Sequence, residues 1–109
     1  MAQGLSKNIY LKTLIAADNH FGDEGLEYFT KEIIFEWGNH FTITNLDLSF
    51  NFFSDKSGVK FANALSQNKT ITTLKLEGNN FDQLTAKAFL NTVRNNNLLY
   101  NLDLSNNSI

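Results

Sequence analysis

Four stretches of the chain share one spacing of apolar and polar positions. In each stretch an apolar residue recurs after three positions and again after two more, and the stretch closes three positions later with Asn. Alternation of apolar and polar residues predicts a short strand with one buried face. The closing residues are Asn19, Asn51, Asn79 and Asn107, which are separated by steps of 32, 28 and 28 residues. A nearly fixed period of this size is typical of stacked supersecondary units.

The residues that follow each strand change their period. Residues 53–68 place apolar side chains three and four positions apart, and residues 81–96 repeat the pattern. This spacing predicts amphipathic helices. Ser54 or Asp55 can cap the first of these helices, and Asp82 can cap the second.

Each unit is therefore predicted to consist of strand, turn, helix and return. Successive strands must run parallel because a helix separates them. We predict an α/β solenoid, a horseshoe segment in which a parallel sheet of four strands lines the concave side and helices line the convex side. The closing Asn of each phrase is expected to bond backbone groups of its own turn and of the next unit.

The chain is expected to form a single domain over residues 1–109. The first unit contains four extra residues and should carry a helix about one turn longer, with Phe35 and Trp37 in the extension. The last strand has an open edge, which indicates a piece of a longer protein, pairing with another chain, or a short array with weak caps. The predicted parts are a partial repeat tail (1–8), an enlarged repeat (9–40), two further repeats (41–68 and 69–96) and a terminal strand (97–109).

Charge and composition narrow the possible functions. The formal net charge of −2 offers no basic surface for phosphates, which disfavours nucleic-acid binding. The absence of Cys excludes disulfides and Cys-based zinc sites, and it suits a reducing compartment. The start of the sequence lacks the pattern of a secretory signal, and no apolar run approaches the roughly 20 residues that span a bilayer. We therefore expect a cytoplasmic protein that does not bind membranes.

The repeated phrase Leu-x-x-Leu-x-Leu-x-x-Asn, its step of 28 residues and the segment from Gly58 to Asn68 resemble the ribonuclease-inhibitor-like leucine-rich repeats over essentially the whole chain. The resemblance implies a leucine-rich-repeat solenoid that binds protein partners on its concave sheet and adjacent loops, in some members masking an enzyme's active site. Ala16 replaces a usual Leu, and Ala86 replaces the glycine found at Gly58; both departures concern local packing. The Phe-rich, Pro-free composition also resembles leucine-rich-repeat proteins of intracellular bacteria, including secreted effectors, which would act in the host cytosol.

The strand residues that do not point into the core are expected to face a partner. Because neighbouring strands lie about 4.8 Å apart, one column should contain Ile15, Asp47, Lys75 and Asp103. Lys75 can bridge the two carboxylates of this column, an arrangement that a solvated charge ladder would also give. The predicted partner-binding residues are Thr13, Ile15, Asn45, Asp47, Ser49, Phe50, Phe52, Thr73, Lys75, Glu77, Asn101 and Asp103.

Phe50 and Phe52 flank Asn51 at positions where the other units carry polar residues or glycine. Two exposed aromatic rings on a rim would anchor a partner. The alternative is that one ring folds back over Phe53 or Phe21 and belongs to the core.

The sequence contains little that indicates catalysis. His20 lies between Asp18 and Asp23 and could bind a metal or act as a base, but the spacing matches no ligand motif. No nucleophile triad, phosphate-binding glycine loop or paired-carboxylate pattern is present. We expect no enzyme activity, cofactor or metal. The first hypothesis is a protein-binding module that masks a partner enzyme, and the alternative is a non-catalytic repeat fragment of a larger sensor or effector. Self-association through the open strand edge is a further expectation.

Overall fold

The structure is a computed structural model that describes residues 13–31, 43–96 and 98–109. Strands and helices alternate along these residues, as the change of period predicts. In chain order the elements are β1 (Thr13–Ile15), α1 (Gly22–Lys31), β2 (Asn45–Asp47), α2 (Asp55–Leu65), β3 (Thr73–Lys75), α3 (Gln83–Asn95) and β4 (Asn101–Asp103).

The four strands form one parallel sheet in the order β1-β2-β3-β4. Leu14, Leu46, Leu74 and Leu102 lie opposite one another in a single row across the sheet. This row packs with the helices in one hydrophobic core, so the helices cover one face of the sheet and leave the other face open. The predicted parallel solenoid with helices on one side is confirmed.

Phenylalanine side chains fill the layer between the sheet and the helices. Phe53 and Phe81 occupy equivalent positions in successive units and stack with ring centroids 6.3 Å apart. Gly58 lets α2 and α3 approach closely, because a Cβ at this position would lie 2.5 Å from Thr85 Oγ1 and 2.6 Å from Phe81 Cε1. Side-chain size at position 58 therefore sets the spacing between these two helices.

The closing asparagines tie neighbouring units together through the backbone. The Asn51 side chain donates to Leu48 O in its own turn at 3.0 Å and to Ala16 O in the preceding unit at 3.0 Å. Its Oδ1 accepts from Asn19 N at 2.9 Å, and Asn79 Oδ1 accepts from Asn51 N in the same way. The expectation that each asparagine side chain bonds the next unit is therefore wrong, because the side chain bonds the preceding unit. The N–H groups of each turn point toward the following unit, where the next asparagine oxygen meets them.

Caps at the helix starts follow the prediction in part. Ser54 is the N-cap of α2 and its side chain accepts from Lys56 N, while Asp82 is the N-cap of α3 and accepts from Gln83 N. Asp55, the other candidate cap, is the first residue of α2, and its carboxylate reaches the next unit instead.

A second ladder joins the helix starts of neighbouring units through carboxylates. Asp23 accepts from Ser54 N at 2.7 Å and from Ser57 Oγ at 2.5 Å, and Asp55 accepts from Thr85 Oγ1 at 2.5 Å. Burial alone raises the pKa of both carboxyls, but the donated hydrogen bonds outweigh it and hold each pKa below its ordinary value. The ionised carboxylates therefore stabilise the stacking of units.

Some predictions fall on residues that the structure does not describe. The longer first helix with Phe35 and Trp37 and the partial tail at residues 1–8 lie wholly or partly outside the described residues. The repeat boundaries stay predictions. In the part of the chain that the structure describes, no helix has the length and apolarity that crossing a bilayer requires.

The concave face and its aromatic rim

The open face of the sheet carries the predicted column of outward-facing residues. Ile15 lies opposite Asp47, Asp47 opposite Lys75, and Lys75 opposite Asp103. Ile15 is 72% exposed on this face, whereas Leu46 on the next strand points to the opposite face, into the core, and is 1% exposed. The open face thus presents apolar, acidic and basic side chains, while the opposite face of the sheet packs against the core.

A shallow concavity of about 220 Å³ occupies the β1 side of this face. It is lined by the whole of β1, the whole of β2, and Thr73 and Lys75 of β3. A second column on the same face contains Thr13, Asn45, Thr73 and Asn101. Asn45 and Asn101 are both exposed. We call this surface, the outward side chains of the four strands, the concave face.

The predicted bridge from Lys75 to the two carboxylates is wrong. Asp47 Oδ1 accepts instead from Ser49 N at 3.0 Å, and Asp103 Oδ1 accepts from Ser105 N at 2.9 Å and from Ser105 Oγ at 2.6 Å. Each carboxylate accepts a hydrogen bond from the residue two positions later in its own turn, and aspartate forms this contact readily. The bonds from Ser105 hold the pKa of Asp103 below its ordinary value against a smaller opposing effect of burial, and the charge of Lys75 adds to the lowering. Lys75 forms no salt bridge with any described residue and is exposed.

Ser49 does not face a partner as predicted. It is 5% exposed, and its hydroxyl accepts a hydrogen bond from Glu77 N at 3.0 Å. Strand β2 ends at Asp47, so the alternation of faces does not continue to position 49. Glu77 is half-buried, and its Oε2 accepts from Asn106 Nδ2 at 2.8 Å.

Two phenylalanines stand exposed where the strands lead into the turns. Phe50 is 46% exposed and Phe52 is 56% exposed, whereas Phe53 fills the core at 0%. The Phe52 ring packs against His20 with centroids 4.8 Å apart, and the Phe50 ring lies over Gly78, where a Cβ would collide with it. Neither ring folds into the core, so the alternative reading of these two residues is wrong. We call Phe50, Phe52 and His20 the aromatic rim.

The turns that carry the aromatic rim have left-handed backbone conformations. Phe50 has φ +57° and Phe52 has φ +62°. Bulky side chains rarely adopt this region, which glycine and asparagine tolerate. Sequence reasoning missed this feature, although Gly78 and Asn106 at the equivalent position signal it. The equivalent residues in the other units, with the same sign of φ, are Asp18, His20, Gly78 and Asn106.

His20 belongs to this rim. Its Nε2 lies 3.7 Å from Asp18 Oδ1, and both side chains are largely exposed. Among the described residues, no group of three or more His, Asp or Glu side chains is placed to hold a metal ion. Within residues 13–31, 43–96 and 98–109, His20 contacts Asp18 and the Phe52 ring.

Comparisons with known proteins agree with the geometry. Residues 7–29 and 39–62 match a family model described as Leucine Rich repeat. A comparison with curated proteins gave no match. A solved structure described as Leiomodin-1 Actin-Binding Site 2 (ABS2) superposes with a TM-score of 0.85 at 21% sequence identity. The match covers 97% of this chain but only 60% of that chain, and neither description names an enzyme. Two stretches of the chain thus match leucine-rich repeats, and the described residues fold as an open segment of a leucine-rich-repeat solenoid.

Proposed function

We propose that this chain is a protein-binding module that holds a partner on its concave face and aromatic rim. The observation that carries the proposal is the pairing of an open, outward-facing sheet with two half-exposed phenylalanines at its edge. Exposed aromatic residues beside a shallow concavity are typical anchors for a protein partner.

The rigidity of the face supports the same proposal. Leu46 and Leu74 are buried in the core behind it, Leu14 and Leu102 pack against that core, and the buried asparagines fix the turns that follow the strands. A face that is already ordered loses little conformational entropy when a partner binds. Ser49 is buried and accepts from Glu77 N, so it is left out of the proposed contact residues. The proposed contact residues are Thr13, Ile15, Asn45, Asp47, Phe50, Phe52, Thr73, Lys75, Glu77, Asn101 and Asp103.

A finer proposal is that the partner is an enzyme whose active site the concave face covers. The resemblance to ribonuclease-inhibitor-like repeats supports it, as does a concavity that accepts a convex protein surface. Addition of the chain should then lower the activity of the retained enzyme, and the Lys75→Glu variant should restore that activity. An effector role in a host cell depends on composition alone.

The leiomodin neighbour is described as an actin-binding site, which supports a protein as the class of partner. Actin is therefore one defined candidate. Co-sedimentation with filamentous actin would identify it as the partner if Lys75→Glu abolishes the binding, and an absence of co-sedimentation would exclude actin.

The alternative is a non-catalytic repeat fragment of a larger sensor or effector, in which the concave face has no partner of its own. It differs from the first proposal in one respect, because it requires no binding that depends on the concave face.

A matched pair of charge reversals tests the proposal. Lys75 is exposed on the concave face and Lys87 is exposed on α3, so Lys75→Glu and Lys87→Glu change the net charge equally. The wild-type chain and the two variants are immobilised separately and exposed to a cell extract. The proteins that each retains are identified by mass spectrometry. We expect a protein that Lys87→Glu retains and Lys75→Glu loses. Equal retention by both variants, or loss only with Lys87→Glu, would contradict binding at the concave face.

A further inference from the structure

The backbone at Phe50 and Phe52 is strained in a way that folding alone does not require. Both residues are left-handed, and this conformation costs free energy for a bulky L-residue. At the position equivalent to Phe50, Gly78 and Asn106 adopt the same conformation with little strain. The turn therefore forms without phenylalanine, and relaxed residues occupy that position in later units.

Packing does not compensate for this strain. Phe50 is 46% exposed and Phe52 is 56% exposed, so about half of each residue stays in contact with water. Phe50 leans over Gly78 of the following unit, while Phe52 leans toward His20 of the preceding unit. The rings therefore spread along the rim and present their outer sides to solvent.

Negative charge collects around these rings. Asp18 precedes Phe50 in the row of left-handed residues, and Glu77 follows on the next unit, where its backbone carbonyl accepts from Phe50 N and its carboxylate accepts from Asn106 Nδ2. Neighbouring units in such a row lie about 4.8 Å apart, within reach of one long side chain. The Asp18 carboxylate is 80% exposed.

The same imbalance extends over the concave face. Of the nine Asp and Glu residues in the described segments, four lie on strands or the turns that follow them, namely Asp18, Asp47, Glu77 and Asp103. Of the seven Lys and Arg residues in those segments, Lys75 alone lies there. The face and rim thus carry a formal charge of −3, while the rest of the described chain carries +1. A basic partner surface complements this distribution.

We propose that the aromatic rim binds an arginine of a basic segment of the partner protein, with the guanidinium stacked on the Phe52 ring and paired with the Asp18 carboxylate, both of which lie against His20. A guanidinium is planar and weakly hydrated, so it stacks on aromatic rings and pairs with a carboxylate together. An ammonium group is more strongly hydrated, and an uncharged aliphatic chain offers no positive charge to the Asp18 carboxylate. The inference rests on the proposed function, which places the partner at this surface.

A peptide titration tests the inference directly. The probe is the capped tripeptide Gly-Arg-Gly, followed by the backbone amide resonances of the whole chain in ¹H–¹⁵N NMR spectra. Three matched tripeptides replace arginine with citrulline, lysine or norleucine. Citrulline keeps the planar shape and removes the charge, lysine keeps the charge and removes the plane, and norleucine keeps only the aliphatic chain.

We expect saturable shifts at Asp18, His20 and Phe52 with the arginine peptide, and dissociation constants at least about two- to fivefold weaker with the other three. Phe52→Leu and Asp18→Asn should each weaken arginine binding by a similar factor, and Lys87→Glu should not. Retained dispersion of the amide spectrum shows that each variant is folded. Equal binding of citrulline or lysine, unchanged binding by Phe52→Leu, or no shifts at the rim would overturn the inference.

The two proposals fail in different ways. If Lys75→Glu abolishes retention of a partner while the arginine peptide leaves the rim unshifted, only the inference about arginine is lost. If retention does not depend on Lys75, the proposed function is lost, whatever the peptide does.

Discussion

Replacement of Asn51 by alanine is the sharpest test of how the units are held together. Asn51 is 0% exposed, and its side chain makes five hydrogen bonds to backbone groups. Two of the carbonyls involved keep another donor in the variant. Leu48 O still accepts from Asn79 Nδ2 at 3.3 Å, and Ser49 O still accepts from Asp18 N at 2.8 Å.

Three backbone groups lose the partner that Asn51 supplied, namely Ala16 O, Asn19 N and Phe21 N. An unsatisfied buried group costs about 1–3 kcal/mol, and the two amides are only partly buried, so water can satisfy them in part. We therefore expect Asn51→Ala to lower the free energy of unfolding by about 3–5 kcal/mol.

Asn19→Ala is the matched control. Asn19 closes the first phrase of the repeat but is exposed, and among the described residues its side chain donates one bond, to Ala17 O at 2.9 Å. Its removal should change the free energy of unfolding by less than about 0.5 kcal/mol. Urea unfolding followed by circular dichroism measures both values. A loss for Asn51→Ala within about 1 kcal/mol of the loss for Asn19→Ala would refute the account of how the units are joined.

Three further perturbations probe other contacts. Gly58→Ala should destabilise the chain by about 1–3 kcal/mol in urea unfolding, because the new Cβ meets Thr85, and an unchanged midpoint would show that the helices separate freely. Gly78→Ala should cost more in the wild-type background than with Phe50→Ala, where only about 1–2 kcal/mol of left-handed strain remains, and equal costs would show that the ring is not seated there. The pKa of Asp55 is lower in the folded chain than in the unfolded chain, so its contribution is fully present above the ordinary carboxyl pKa and is lost as pH falls through the folded value. Thermal unfolding between about pH 5 and pH 2 should therefore show a smaller pH dependence for Asp55→Asn, and the same slope for both proteins would contradict the carboxylate ladder.

The sequence predicts the sheet well because the repeat constrains it. Residues one period apart occupy the same place in successive units, so the opposition of Ile15, Asp47, Lys75 and Asp103 follows from counting. The register cannot shift, because a slip by one residue would move the row of Leu14, Leu46, Leu74 and Leu102 from the core to solvent.

The local errors arise where a strand ends or where a short side chain has a nearer partner. Ser49 was predicted to face outward by extending the alternation beyond Asp47, where β2 has already ended. The bridge from Lys75 fails because the carboxylates of Asp47 and Asp103 bond the amides two residues later in their own turns. The spacing of residues along the chain does not show whether such a carboxylate bonds Lys75 or the amide in its own turn.

The aromatic rim shows what spacing reveals and what it does not. The departure of Phe50 and Phe52 from the polar residues of other units is visible in the sequence, and it marks the rim correctly. The direction of each ring depends on the left-handed backbone and on the space above Gly78. Only the three-dimensional structure supplies both.

Hydrogen–deuterium exchange of the chain, alone and with the partner retained in the charge-reversal experiment, tests the central claim most directly. The account predicts that the partner slows exchange in β1–β4 and in the turns around Phe50 and Gly78, while the exposed faces of α1–α3 exchange as before. Slower exchange confined to α1–α3, with the strands and turns unchanged, would contradict binding on the concave face.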